Sequence, residues 1–285
     1  MSHRPRIDAF RKDIIKQLPR APATRASLAA LHAMPTHLLI LAFVTWRMRF
    51  IPAKPRTIKI WSGGVAPPEF QIAKPRLRPL LEKVEAGKDL TPHLSTLVHK
   101  KGIILEGSRR TERRQDIDMV LTRHGLHHFH VGKNSPNNPK GRSDSLVFAE
   151  VLEKEFLIVA VADHRAFEYG SPEHLKFFSI CSAYTAKDVP PGQAFIANPV
   201  MASGHSMVVK LFSDRCDDEI SRLDPQLDDP DFIDKLYNEQ PILRDGCQII
   251  RPAQPSMAWY FNDLQFGILD RRTMVFFCIF PFFAR

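Results

Sequence analysis

Cysteine is scarce and scattered. The four thiols, Cys181, Cys216, Cys247 and Cys278, stand roughly thirty residues apart and never form a C-x-x-C pair. That spacing excludes a zinc knuckle and gives no disulfide framework, so reduced thiols are expected. Long apolar runs are missing too: Leu38–Trp46 and Met274–Phe283 fall well short of the ~20 residues a helix needs to cross a bilayer. The first run also starts too late, behind a basic segment without a cleavage site, to read as a secretory signal. No G-x-S-x-G, Walker A or G-x-G-x-x-G sequence occurs, which removes the nucleophile elbow and the glycine-rich phosphate loops. A soluble cytoplasmic protein is the expectation, with no membrane partner and no cofactor.

What remains is a 285-residue chain, 44% hydrophobic, with 23 prolines, long enough for one large core or two smaller ones and rich in turns. Its charge is uneven. Residues 1–145 carry 27 Lys and Arg against 11 Asp and Glu, +16, while residues 146–285 carry 13 against 20, −7. A surface of that sign attracts phosphate backbones through counterion release, although part of it can simply be solvated helix face.

Four of the twelve histidines crowd into seven residues: His124, His127, His128 and His130. Residues 126–131 read as a strand, and its period of two sets His128 and His130 on one face. Imidazole changes charge near neutral pH, so a pair suits acid–base work or metal ligation; the plain alternative is half-exposed filler in a strand. His127 should point the other way and pack on the preceding helix, and His124 should cap that helix.

Along the chain, residues 1–24 read as a frayed basic arm with one short helix. A helix from about His37 to Arg49 follows, with Thr36 as N-cap. A strand over Thr57–Trp61 is closed by Gly63 and Gly64. After a proline-rich loop comes a helix over Leu77–Ala86 stopped by Gly87, then a short helical piece near Asp89–His93 and a helix over Glu112–His124 with Gly125 beyond its end. Strands at Leu126–Val131, Leu146–Leu152 and Phe156–Val161 follow, the last two joined as a hairpin by Glu153–Glu155. The character changes near Cys181, giving an acidic helical zone over about Asp214–Glu239 and strands at Met257–Phe261, Leu264–Leu269 and Thr273–Phe280.

Strand, two helices, then an antiparallel meander resembles the RelE-like and ParE-like toxins of the barnase, EndoU, colicin and RelE group of ribonuclease folds. The resemblance covers residues 55–170. His128-Phe129-His130 stands where RelE-like proteins place alternating basic residues, Leu146-Val147-Phe148 resembles their second strand, and Asp163-His164-Arg165 falls where they keep a phosphate-facing histidine or arginine. The usual lysine pair is replaced here by histidines, and the loop from Gly132 to Arg142 is longer.

Composition and charge mark a helical basic extension (1–54) and an acidic α+β region (181–285); between them the resemblance implies a RelE-like antiparallel sheet with packed helices (55–180), in an α+β fold overall. It implies an endoribonuclease, of toxin or defence type, acting on RNA, ribosome-associated or free, and restrained by an antitoxin or inhibitor protein. Cleavage without metal needs a base for the 2′-hydroxyl, donors for the phosphorane and an acid for the 5′-oxygen. His128 and His130 are the candidates for base or phosphate contact and His164 for acid. Arg165 and Arg142 would grip the phosphate, and Lys133, Lys140, Arg109, Arg110 and Arg113 would steer the nucleic acid. Each has an ordinary alternative: His164 bridging a turn, Arg142 a solvated charge, Arg165 paired with Asp163 or Glu168. Two other functions stay open, a non-catalytic nucleic-acid- or protein-binding module such as the gyrase-binding ParE type, and a metal-dependent hydrolase built on His128, His130, His164 and Asp163.

Overall fold

The computed structural model describes residues 4–64, 67–105, 115–131, 145–194, 198–239 and 241–282. In chain order these form α1 (Pro5–Gln17), β1 (Arg20–Ala21), α2 (Arg25–Ala33), α3 (Thr36–Arg47), β2 (Thr57–Ile60), α4 (Pro67–Glu85), β3 (Ile103–Ile104), α5 (Met119–His124), β4 (His127–His130), β5 (Ser145–Val151) and β6 (Glu155–Asp163). Then come α6 (Pro172–Thr185), α7 (Met207–Leu223), α8 (Pro230–Asn238), β7 (Leu243–Arg244), β8 (Cys247–Gln248), β9 (Met257–Asn262), β10 (Gln265–Asp270) and β11 (Val275–Pro281). The protein is mixed α+β, and no single helix among the described residues is long and apolar enough to cross a membrane.

Two compact units are formed from interleaved segments. The first takes Met1–Met48, Gly102–Arg110 and Val208–Ala284. Its core is an aromatic cluster on the antiparallel meander β9-β10-β11, where the Phe261 ring lies 5.8 Å from Phe10 of α1 and 5.3 Å from Phe43 of α3. The amino-terminal segment is therefore no frayed arm: Phe10, Ile14 and Ile15 bury one face of α1. Arg6 binds Asp224 and Asp228 of the acidic helical zone. Thr36 is the first residue of α3 rather than its cap, with Pro35 in the cap position and no side-chain cap bond.

The second unit, Arg49–Lys101 and Thr111–Met207, carries the histidines. Its four-stranded sheet has the order β2-β6-β5-β4, with β2 parallel to β6 and the other pairs antiparallel. Both faces are covered. Leu77, Leu80, Leu81 and Val84 of α4 pack with Phe129, Val147 and Phe156 on one face. Phe177, Cys181 and Tyr184 of α6 pack with Leu146, Phe148 and Val159 on the other. The alternation of β5 explains this, since Val147 and Ala149 face α4 while Leu146 and Phe148 face α6.

Three sequence expectations fail within this unit. Helix α4 begins well before Leu77 and runs through Pro75 and Pro79, because its apolar face is held by the sheet strongly enough to tolerate two missing backbone donors. Of the helix expected over Glu112–His124, residues 112–114 lie outside the described residues and residues 115–118 are not helical; α5 starts at Met119, because Asp118 caps it there, accepting from the amides of Val120 and Leu121. Residue 181, taken as a segment boundary, lies inside α6, a helix the sequence reading did not anticipate.

Candidate functional site

Strand β4 starts where α5 stops. Gly125 adopts φ +68°, a left-handed conformation, and its amide donates to the Leu121 carbonyl, so the chain reverses directly into the histidine strand. Pairing of His128 with Phe148 and of His130 with Leu146 fixes the register and puts both rings on the α6 face. His127 and Phe129 take the opposite face, with ring centroids 6.2 Å apart.

The structure brings three of the expected site residues together. Ring centroids of His128 and His130 are 5.8 Å apart, and those of His130 and His164 are 5.4 Å apart. His164 reaches the pair because β6 ends in a short turn of 3-10 helix over His164–Phe167, capped by Asp163, which accepts from the Arg165 amide. His164 is open to solvent, His128 is partly buried, and His130, between them, has a whole-residue exposure of 9%. The half-exposed Phe167 ring stands beside it, 5.6 Å from His128 and 6.4 Å from His164.

Behind the row lie groups that the sequence reading missed. The Asp118 carboxylate places Oδ2 3.0 Å from His128 Nδ1, with both side chains largely buried. Burial alone would raise the Asp118 carboxyl, but the charge of His128, its hydrogen bond and the Leu121 amide overcome this and bring it down to about 2. Arg49 lies near enough for the charges of Asp118 and Asp116 to act on it, and it is anchored by donating to the carbonyls of Lys101 and Asp116. His93 donates from Nδ1 to the His130 carbonyl at 3.0 Å, tying the end of β4 to the 3-10 turn Thr91–His93. A signal for Asp118 was present: an aspartate directly before the apolar run Met119-Val120-Leu121 is an N-cap pattern.

Other expected residues are placed differently. The Arg165 guanidinium is on Asp163 Oδ2, at 2.9 Å from Nε and 2.7 Å from Nη2. The ordinary reading of that arginine is therefore the one the geometry displays. His124 turns its Nδ1 to within 3.5 Å of Thr185 Oγ1 on α6, and burial lowers its pKa, so a cationic helix cap is not its role here. His128 also reaches back to the start of the preceding helix, where the charge of Asp118 acts on His127 too. Arg142, Lys133, Lys140, Arg109, Arg110 and Arg113 lie outside the described residues. Among the described residues no group of three or more His, Cys, Asp or Glu side chains is placed to hold a metal ion.

No family model, curated protein or solved structure matches this chain.

Proposed function

We propose that the protein is an endoribonuclease, with a RelE-like second unit, that cleaves RNA at the His128–His130–His164 row by acid–base chemistry without a metal. The observation that carries this reading is the row itself: three imidazoles from one strand and a turn, adjacent in space, running from an exposed ring to one backed by a carboxylate. Imidazoles so placed can divide the two proton transfers of RNA cleavage between them. One ring takes the 2′-hydroxyl proton as the 2′-oxygen bonds to phosphorus. Another gives a proton to the 5′-oxygen as the P–O bond breaks, leaving a 2′,3′-cyclic phosphate and a 5′-hydroxyl. His164, the exposed ring, is assigned as acid, and His128 and His130 as base and phosphate contact.

Arg165 fits as a phosphate ligand only by exchange. Its partner is Asp163 in a solvent-exposed pair, screened by water and salt, so an incoming phosphate competes readily. A cytoplasmic toxin or defence effector held in check by an acidic protein is the biological setting this reading implies.

The second reading, a module that binds nucleic acid or protein without chemistry, draws on the burial of His130 and His128. Purified full-length protein incubated with total RNA, with and without EDTA, separates the alternatives. Metal-independent cuts ending in cyclic phosphate support the nuclease. EDTA-sensitive turnover shows a metal enzyme, and retention of intact RNA shows the binding module. His164→Ala, at an exposed position, should lower cleavage by about 10²-fold or more with the fold intact.

A further inference from the structure

The two oxygens of Asp118 have separate tasks. Oδ1 accepts from the backbone amides of Val120 and Leu121, both at 3.1 Å, which fixes the carboxylate to the first turn of α5. Oδ2 is thereby held within ion-pair distance of His128 Nδ1, 3.0 Å away. We infer that Asp118 is the positioning residue of the histidine row: it holds His128 with the proton on Nδ1, so that Nε2 is the basic nitrogen and His128, rather than His130, is the general base.

The charged and titratable groups around this pair come from every neighbouring element. His127 and His130 share β4, and the charge of His127 acts on Asp118. Asp116 and Arg49 lie on the side of the α5 start, and the charge of Arg56 acts on His127. His164 faces His130 from the 3-10 turn. Asp118, its carboxyl brought down to about 2, stays ionised across the working range. When His128 takes the 2′-hydroxyl proton at Nε2, the resulting imidazolium is balanced by this fixed carboxylate, which does not itself accept the proton. The catalytic part of the inference rests on the nuclease reading; the tautomer does not.

The test uses full-length, ¹⁵N-labelled protein and long-range ¹H–¹⁵N spectra of the imidazole rings. Wild type should show His128 protonated at Nδ1 when neutral. Asp118→Asn keeps a good N-cap for α5 but removes the charge, and the His128 proton affinity should fall at least tenfold. The acid limb of the pH–rate profile for RNA cleavage should move in parallel, and Asp118→Glu should restore the affinity in part. An Nε2–H tautomer in wild type overturns the inference even if the variant fails to fold, as does an unchanged His128 titration in Asp118→Asn. The expected spectra from a protein that leaves RNA intact would uphold the positioning and sink the nuclease.

Discussion

His127 shows how one partly buried imidazole couples stability to pH. Burial lowers its pKa from 6.5 to about 4, against the attraction of Asp118 and with help from His128 and Arg56. The folded state thus keeps the ring neutral where the unfolded chain would protonate it. Between about pH 6.5 and 4 the unfolded state binds more protons, so stability falls as the pH is lowered through that window. The shift corresponds to roughly 2–3 kcal/mol at its acid end. His93, His124 and His205 are displaced in the same direction by burial and add to the trend. Asp118 acts in a separate, lower window: its stabilisation is present above about 4 and lost as the pH falls toward 2. Urea unfolding at pH 4.5 and 7 should show a marked loss at the lower pH, and His127→Phe, which has nothing to protonate, should reduce it. An equal loss in the variant would assign the acid sensitivity to other groups.

The same residues show what could be read from sequence. The pairing of His128 with His130 followed from the period of a strand, and His164 came into range because a turn after the third meander strand was expected. Asp118 is obscured in the sequence because the helical pattern continues on its amino-terminal side, which makes it look like helix interior and hides its cap position. The tie of Arg165 to Asp163 is local, two residues apart, and was foreseen as the ordinary alternative.

At the scale of elements, β4, β5 and β6 were legible because alternation and turn residues agree, and Gly125 because only a residue at ease with positive φ ends α5 in this way. Helix α6 was missed since its apolar residues do not segregate: Leu175 and Phe178 are exposed while Phe177, Cys181 and Tyr184 are buried. Its start nonetheless carries Ser171 as N-cap and Pro172 in the first turn. The first half of α4 was hidden by Pro75 and Pro79, whose local preference is overridden by tertiary packing. Gly125 offers a clean measurement of the turn that launches the histidine strand. A Cβ added there meets nothing within 4 Å, so Gly125→Ala suffers only the left-handed backbone penalty, about 1–2 kcal/mol. The midpoint of urea unfolding should drop with an unchanged slope, and Gly125→Asn should lose less. An alanine variant as stable as wild type would mean that the turn is not left-handed.

At the scale of the whole molecule, charge sorts by folding unit rather than by half of the sequence. The unit built from both ends of the chain holds 18 Lys and Arg against 16 Asp and Glu, +2, and the unit with the histidines holds 21 against 15, +6; Arg285 completes the total of +9. The strongly basic amino-terminal segment is largely balanced inside its own unit. Arg6 reaches Asp224 and Asp228, Arg47 reaches Asp263 at 2.9 Å, and Arg271 of the carboxy-terminal meander faces Asp13 at 3.5 Å. If RNA is the substrate, its phosphates should be drawn to the histidine unit and not to α1. Arg6 discriminates between the two. Its Nε donates to Asp224 Oδ1 at 3.1 Å, and Asp224, a buried residue, also accepts from Trp259 Nε1 at 2.9 Å. Arg6→Ala therefore leaves a buried carboxylate short of its counter-charge, with an expected loss of roughly 2–3 kcal/mol in urea unfolding. RNA retention measured over a range of salt concentrations, at a temperature where the variant is folded, should keep the wild-type slope, because no phosphate contact has been removed. A slope shallower by about one counterion with stability unchanged would place Arg6 on the nucleic-acid surface and restore a binding role to the basic amino-terminal segment.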